Sequence, residues 1–187
     1  MFVQTEPTPN PATLKFLPGK TVMKEGTIFF QNQESADNSP LAMNLFAVKG
    51  VESVFFGQDF ITITKAEKSD WSLMKPAILG SIIEHFTTNK AILKDNSNSK
   101  ISEHTKSEND SDIVVKIKEL LDTKVRPAVA MDGGDILFDK YDKGIVFLHM
   151  QGSCAGCPSS TATLKMGIEN MFKHYIPEVR EVRPVEA

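Results

Sequence analysis

Ile145-Val146-Phe147-Leu148-His149-Met150-Gln151-Gly152-Ser153-Cys154-Ala155-Gly156-Cys157-Pro158-Ser159-Ser160 passes from an apolar, strand-like run through a pair of cysteines into a helix start, and it holds the only two cysteines of the chain. Proline followed by two serines is a helix-opening signal, which places Cys154 and Cys157 at the mouth of a helix. There, unpaired backbone N–H groups and the positive end of the helix dipole favour thiolates. Gly152 and Gly156 permit left-handed backbone that turns amides toward the sulfurs. Two thiolates do not complete a four-coordinate site, so a zinc ion or a cluster bound here must take ligands from elsewhere, most simply from a second copy of the chain. The pair can also work alone, as a dithiol that cycles with its disulfide.

Working outward, the apolar residues Ile113, Val114, Ile117, Leu120, Leu121 and Val125 fall on one helical face opened by Asp112, and the spacing predicts a helix that stops before Pro127. Met131-Asp132-Gly133-Gly134-Asp135 reads as a turn in which the glycines supply positive φ and the aspartates accept local N–H bonds. Two strands follow, Ile136 to Tyr141 and Ile145 to Met150, joined at Asp142-Lys143-Gly144. Beyond the cysteine loop, Leu164, Ile168, Met171, Phe172 and Tyr175 mark a helix, and Val179 to Val185 a last strand. The order is helix, hairpin, CxxC loop, helix, strand, spanning residues 112–187.

Residues 93–111 include a run rich in Asn, Ser, Lys, Asp and Glu with Ile101 as a lone aliphatic residue, too polar to order itself, and read as a flexible linker. It separates a first domain, residues 1–92, in which Phe2 to Thr5 and Thr13 to Leu17 are strands on either side of a proline-rich turn. Ser39-Pro40 opens a short helix. Val51 to Phe56 and Phe60 to Lys65 form a hairpin about Gly57-Gln58-Asp59, and Asp70 caps a helix running from Trp71 past Pro76 to Phe86. The aromatics and methionines of this domain read as core. The expected class is α+β with two small domains.

A chain of 187 residues with 41% hydrophobic and 24% charged side chains, and a net charge of −3, suits ordinary globular packing. Its charges are evenly spread, with no basic stripe of the kind that nucleic-acid binding requires, and no apolar run long enough to cross a bilayer. Neither nucleic acid nor membrane is an expected partner. Cysteines three apart in a reducing compartment favour metal or redox chemistry over a structural staple. A zinc site would need further ligands, and the histidines offer few: His85 and His174 lie late in helices, His104 in the linker, and His149 on a strand.

The combination Met131-Asp132-Gly133-Gly134-Asp135-Ile136, Gly144-Ile145-Val146-Phe147-Leu148 and Gly152-Ser153-Cys154-Ala155-Gly156-Cys157-Pro158-Ser159-Ser160 with Thr163-Leu164-Lys165 resembles the C-terminal domain of NifU, the Nfu domain. The first domain is similar to the Nfu N-terminal domain, carried by Gln4-Thr5-Glu6-Pro7-Thr8-Pro9-Asn10-Pro11, Ser39-Pro40-Leu41-Ala42 and Gly57-Gln58-Asp59-Phe60-Ile61-Thr62-Ile63. The resemblance implies an iron–sulfur cluster scaffold or carrier without turnover chemistry or catalytic residues. In it, a 4Fe-4S cluster is held between two subunits by Cys154 and Cys157 of each. It further implies a homodimer or higher oligomer when loaded, acceptor apoproteins and upstream iron–sulfur assembly proteins as partners, and a cytoplasmic location in a bacterium, or the mitochondrial matrix if a presequence has been removed. The competing reading is a CxxC dithiol–disulfide oxidoreductase, which predicts a reducible intramolecular disulfide and no chromophore with iron and sulfide.

Overall fold

The structure, a computed structural model, describes residues 1–94, 111–156 and 158–185. Most of the linker assigned at 93–111, together with His104 and Cys157, lies outside the described residues. The fold is α+β, and the chain divides into two compact units, Met1–Ile101 and Ser102–Ala187.

In the first unit, β1 (Gln4–Pro7), β2 (Thr13–Leu17), β3 (Ile28–Phe30), β4 (Val51–Phe56) and β5 (Ile61–Lys65) form an antiparallel sheet in the order β1-β2-β5-β4-β3. Two cross-strand rows explain why this register wins. Phe16 faces Ile61, which faces Phe56, which faces Ile28; Leu14, Ile63, Val54 and Phe30 form the second row. Because side chains alternate along a strand, both rows share one face, and a one-residue slip would expose every member. The rows are buried under α1 (Pro40–Phe46), through Leu41 and Leu45, and under α2 (Trp71–Thr87), through Met74, Ile78 and Ile82. Both helix starts follow the sequence expectation. Ser39 Oγ accepts the Ala42 N–H at 3.1 Å ahead of Pro40, and Asp70 accepts the Ser72 N–H at 2.7 Å. The first strand runs into Pro7 rather than ending at Thr5; β1 is an edge strand, where a missing N–H donor is tolerated. The three-residue β3 shows no period in the sequence and was not expected.

The second unit begins with α3 (Asp112–Leu120), whose N-cap is Ser111. The helical run as a whole continues past Pro127. A π-helical turn (Leu121–Val125) connects α3 directly to α4 (Arg126–Met131), with the Arg126 N–H donating to the Leu121 carbonyl, five residues back. The wider π turn sets Pro127 within the first turn of a new helix, where its missing N–H is not needed. Ile117, Leu121, Val125 and Val129 continue the buried stripe across the junction.

The helices cover a sheet ordered β6-β7-β8, with β6 (Gly134–Asp142) antiparallel to β7 (Ile145–Gly152) and β7 parallel to β8 (Glu181–Val185). The β6–β7 hairpin closes over Lys143 and Gly144, both at positive φ (47° and 89°), the geometry of a two-residue type I′ loop. Val146, Leu148 and Met150 alternate inward along β7 and meet Ile168 and Phe172 of α5 (Pro158–Tyr175). The return from β7 through α5 to β8 is a parallel crossover, which the sequence order alone did not reveal.

Candidate functional site

The cysteine loop leaves the C-terminal end of β7, the middle strand, and leads into α5. Gly152 (φ 62°) and Gly156 (φ 78°) take the left-handed conformation expected of them, bending the chain at both sides of Cys154. The loop is tied down along its length. The Ser153 N–H donates to the Gly133 carbonyl at 3.2 Å, the Cys154 N–H to Gln151 at 3.3 Å and the Ala155 N–H to Gly152 at 3.2 Å. From the other side, the Thr161 hydroxyl in the first turns of α5 donates to the Cys154 carbonyl at 3.2 Å.

Cys154 precedes the helix as expected, but it is buried. It is 5% exposed and belongs to the core of the second unit. Burial, opposed by a hydrogen bond with Ser153 and reinforced by the charges of Asp135 and Asp132, pushes its thiol up to about 12. Desolvation thus outweighs the helix end, and at neutral pH Cys154 is a protonated thiol. Metal binding at this sulfur must displace that proton.

Met131-Asp132-Gly133-Gly134-Asp135 forms the wall opposite Cys154. Gly133 (φ 82°) makes the turn. Gly134 packs so closely on Cys154 that any side chain at 134 would collide with the sulfur. Asp135 accepts the Ile136 N–H at 2.8 Å, as the local-turn reading required. Its larger role was missed: it is 3% exposed and pairs with Arg126, whose Nε and Nη2 donate at 2.9 Å to its two carboxylate oxygens. Arg126 also reaches Asp122 at 3.1 Å, one turn back. The π turn brings these groups together, and nothing in a linear reading of helix periodicity signals it. This clamp locks the start of β6, and with it the Gly134 wall, against α4.

His149 faces Asp139 at 3.1 Å on the sheet, and His85 is buried in the first unit. Among the described residues, no group of three or more His, Cys, Asp or Glu side chains is arranged to hold a metal ion. Cys157, the other expected ligand, lies outside the described residues. Nor is any helix among them long and apolar enough to cross a membrane.

Two family models match the chain, one described as the Scaffold protein Nfu/NifU N terminal over residues 3–90 and the other as the NifU-like domain over residues 117–183. The chain is 51% identical over 186 residues to a Drosophila willistoni protein named "NFU1 iron-sulfur cluster scaffold homolog, mitochondrial", the match covering 99% of this chain and 64% of that one. A Homo sapiens protein of the same name is 49% identical, with 99% and 72% covered, and the Arabidopsis thaliana protein "NifU-like protein 4, mitochondrial" is 47% identical, with 97% and 65% covered. The chain spans just under two thirds of the fly and plant proteins. With both family models matching in order and nearly the whole chain aligned to the human relative, this protein belongs to the Nfu/NifU family, with an Nfu N-terminal domain followed by a NifU-like domain.

Proposed function

We propose that the chain is a non-catalytic iron–sulfur carrier in which two subunits share one 4Fe-4S cluster through Cys154 and Cys157 of each and pass it to acceptor apoproteins. The observation that carries this reading is the place of Cys154, at the end of the middle strand and three residues before the chain's other cysteine. Its sulfur is a soft donor in a walled, hydrogen-bonded loop. A cluster that wants four thiolates then finds them by pairing two chains. The names of the fly and human relatives as iron–sulfur cluster scaffold homologs support an iron–sulfur cluster as the cargo, and their mitochondrial designation favours a mitochondrial location over a bacterial cytosol.

The thiol of Cys154 suits release. An acceptor thiol that displaces it at iron gives up a proton, and Cys154, whose thiol is pushed up to about 12, takes one as it leaves. Once protonated, the released sulfur must lose that proton again before it can rebind. Cluster and proton thus exchange partners, with no net oxidation. The oxidoreductase reading needs an attacking thiolate near neutral pH, a role the raised thiol of Cys154 leaves to Cys157.

Anaerobic reconstitution with ferrous iron and sulfide tests the reading. The wild type should develop brown charge-transfer absorbance that Cys154→Ala and Cys157→Ala lack, and should then activate an apoenzyme requiring a 4Fe-4S cluster. A colourless wild type with an intact, readily oxidised dithiol would overturn it.

A further inference from the structure

The first unit carries a cleft of about 650 Å³ between the end of α1 and the outer side of α2, lined by Val48, Lys49, Lys68, Leu73, Ala77 and Ser81 among others. Its floor is apolar and open. Leu73 is 80% exposed, and Pro76, Ala77 and Gly80 continue the exposed face along α2 with no charged residue between Lys75 and Glu84. A solvated helix face ordinarily carries charges, and a helix apolar on both sides is one that a second surface covers. The inner side of α2 is already spent on the sheet through Met74, Ile78 and Ile82.

The charged side chains that line the cleft are net positive, two lysines against one carboxylate. Lys49 and Lys68 line it, and neither forms an ion pair among the described residues. Its single lining carboxylate, Asp70, is committed to the helix start, accepting the Ser72 N–H at 2.7 Å and the Ser72 hydroxyl at 2.8 Å. Two free cations around an apolar floor match a polypeptide that presents a leucine-sized side chain flanked by carboxylates. A second copy of this chain fits less well, because a two-fold interface would set two net-positive rims, each with two lysines and one carboxylate, against each other.

We propose that this cleft is a docking site for an acidic, apolar-anchored segment of a partner polypeptide. The inference does not depend on what the cysteine loop carries. The partner is recognised by the first unit while the second presents its loop, so tethering raises the local concentration of one beside the other.

Trp71, the chain's one tryptophan and the first residue of α2, adjoins the cleft at Asp70 and serves as a reporter, its indole N–H donating to the Pro11 carbonyl at 3.3 Å. The full-length, metal-free chain is titrated with two synthetic peptides that share leucines at helical spacing and differ only in glutamate or lysine at the remaining positions. The glutamate peptide should bind saturably and more weakly as salt rises, and about tenfold or more better than the lysine peptide. Leu73→Asp should abolish binding, and the pair Lys49→Glu with Lys68→Glu should invert the preference toward the lysine peptide. Circular dichroism verifies that both variants fold. No binding below about 1 mM, equal binding of both peptides, or an unchanged preference in the charge-reversed variant would overturn the proposal. So would a dimer of the wild type, seen by sedimentation, that Leu73→Asp dissociates, since the cleft would then belong to a second copy.

Discussion

Gly134, the first residue of β6, closes directly over the sulfur of Cys154, and a Cβ at this position would also come within 3.0 Å of the Cys154 backbone nitrogen and the Gln151 carbonyl oxygen. The contacts are backbone as well as side chain, so the loop has no easy way to yield. Gly134→Ala should cost about 1–3 kcal/mol of the second unit's stability through overpacking. It should also lower the iron bound per chain after reconstitution. Chemical denaturation and iron analysis check the two effects; a variant normal in both would remove Gly134 from the site.

The Arg126–Asp135 clamp predicts an asymmetry. The arginine side chain is 19% exposed and the carboxylate 4%, so Arg126→Met strands a buried charge and should cost about 3 kcal/mol. Asp135→Asn removes the charge with the partner and should cost less. The double variant Arg126→Met, Asp135→Leu should recover much of the loss, and a double-mutant cycle by denaturant melts measures the coupling.

The raised thiol of Cys154 sets a pH window. An acid whose folded pKa lies above its ordinary value of 9.0 lends stability that is complete below that value and is lost as pH rises through the folded value of about 12. In a Cys157→Ala background at neutral pH, metal-free Cys154 should therefore alkylate much more slowly than in denatured chain. Its rate should climb with pH well beyond 9 without levelling. A plateau near neutral pH would mean a thiolate is already present.

His85 gives the first unit the opposite slope. It is 1% exposed, and burial, followed by the charge of Lys90, holds its imidazole below the usual range. Its folded pKa lies below the unfolded value of about 6.5, so the unfolded chain gains a proton first and stability falls as pH drops through that value. Thermal melts of the first unit should show a loss between about pH 7 and pH 5, and His85→Leu should flatten it. An equal loss in that variant would assign the slope to other groups.

Much of this was legible in the sequence because it rests on local signals. Ser39-Pro40, Asp70-Trp71 and Lys143-Gly144 each declare a helix start or a turn by chemistry that acts within a few residues, and the strands from Thr13, Val51 and Ile145 show apolar runs bounded by turn residues. The failures are non-local. Pro127 argued for a helix end, yet a π turn makes room for it, and that same turn assembles Arg126 with Asp135. The crossover that sets β8 parallel beside β7 depends on how α5 packs. The state of Cys154 depends on a wall supplied from β6, about twenty residues away in sequence. Helix-end electrostatics alone therefore does not reveal the burial that raises its thiol.

The central claim is that one cluster is held by four cysteines from two chains. Native mass spectrometry of the anaerobically reconstituted chain addresses it directly, reading oligomer and inorganic content in one peak. The account predicts a dimer carrying the mass of a single four-iron, four-sulfide unit, or about two irons per chain, with Cys154→Ala yielding only bare monomer. A monomer that carries a complete cluster, or a dimer joined by zinc without sulfide, would contradict it.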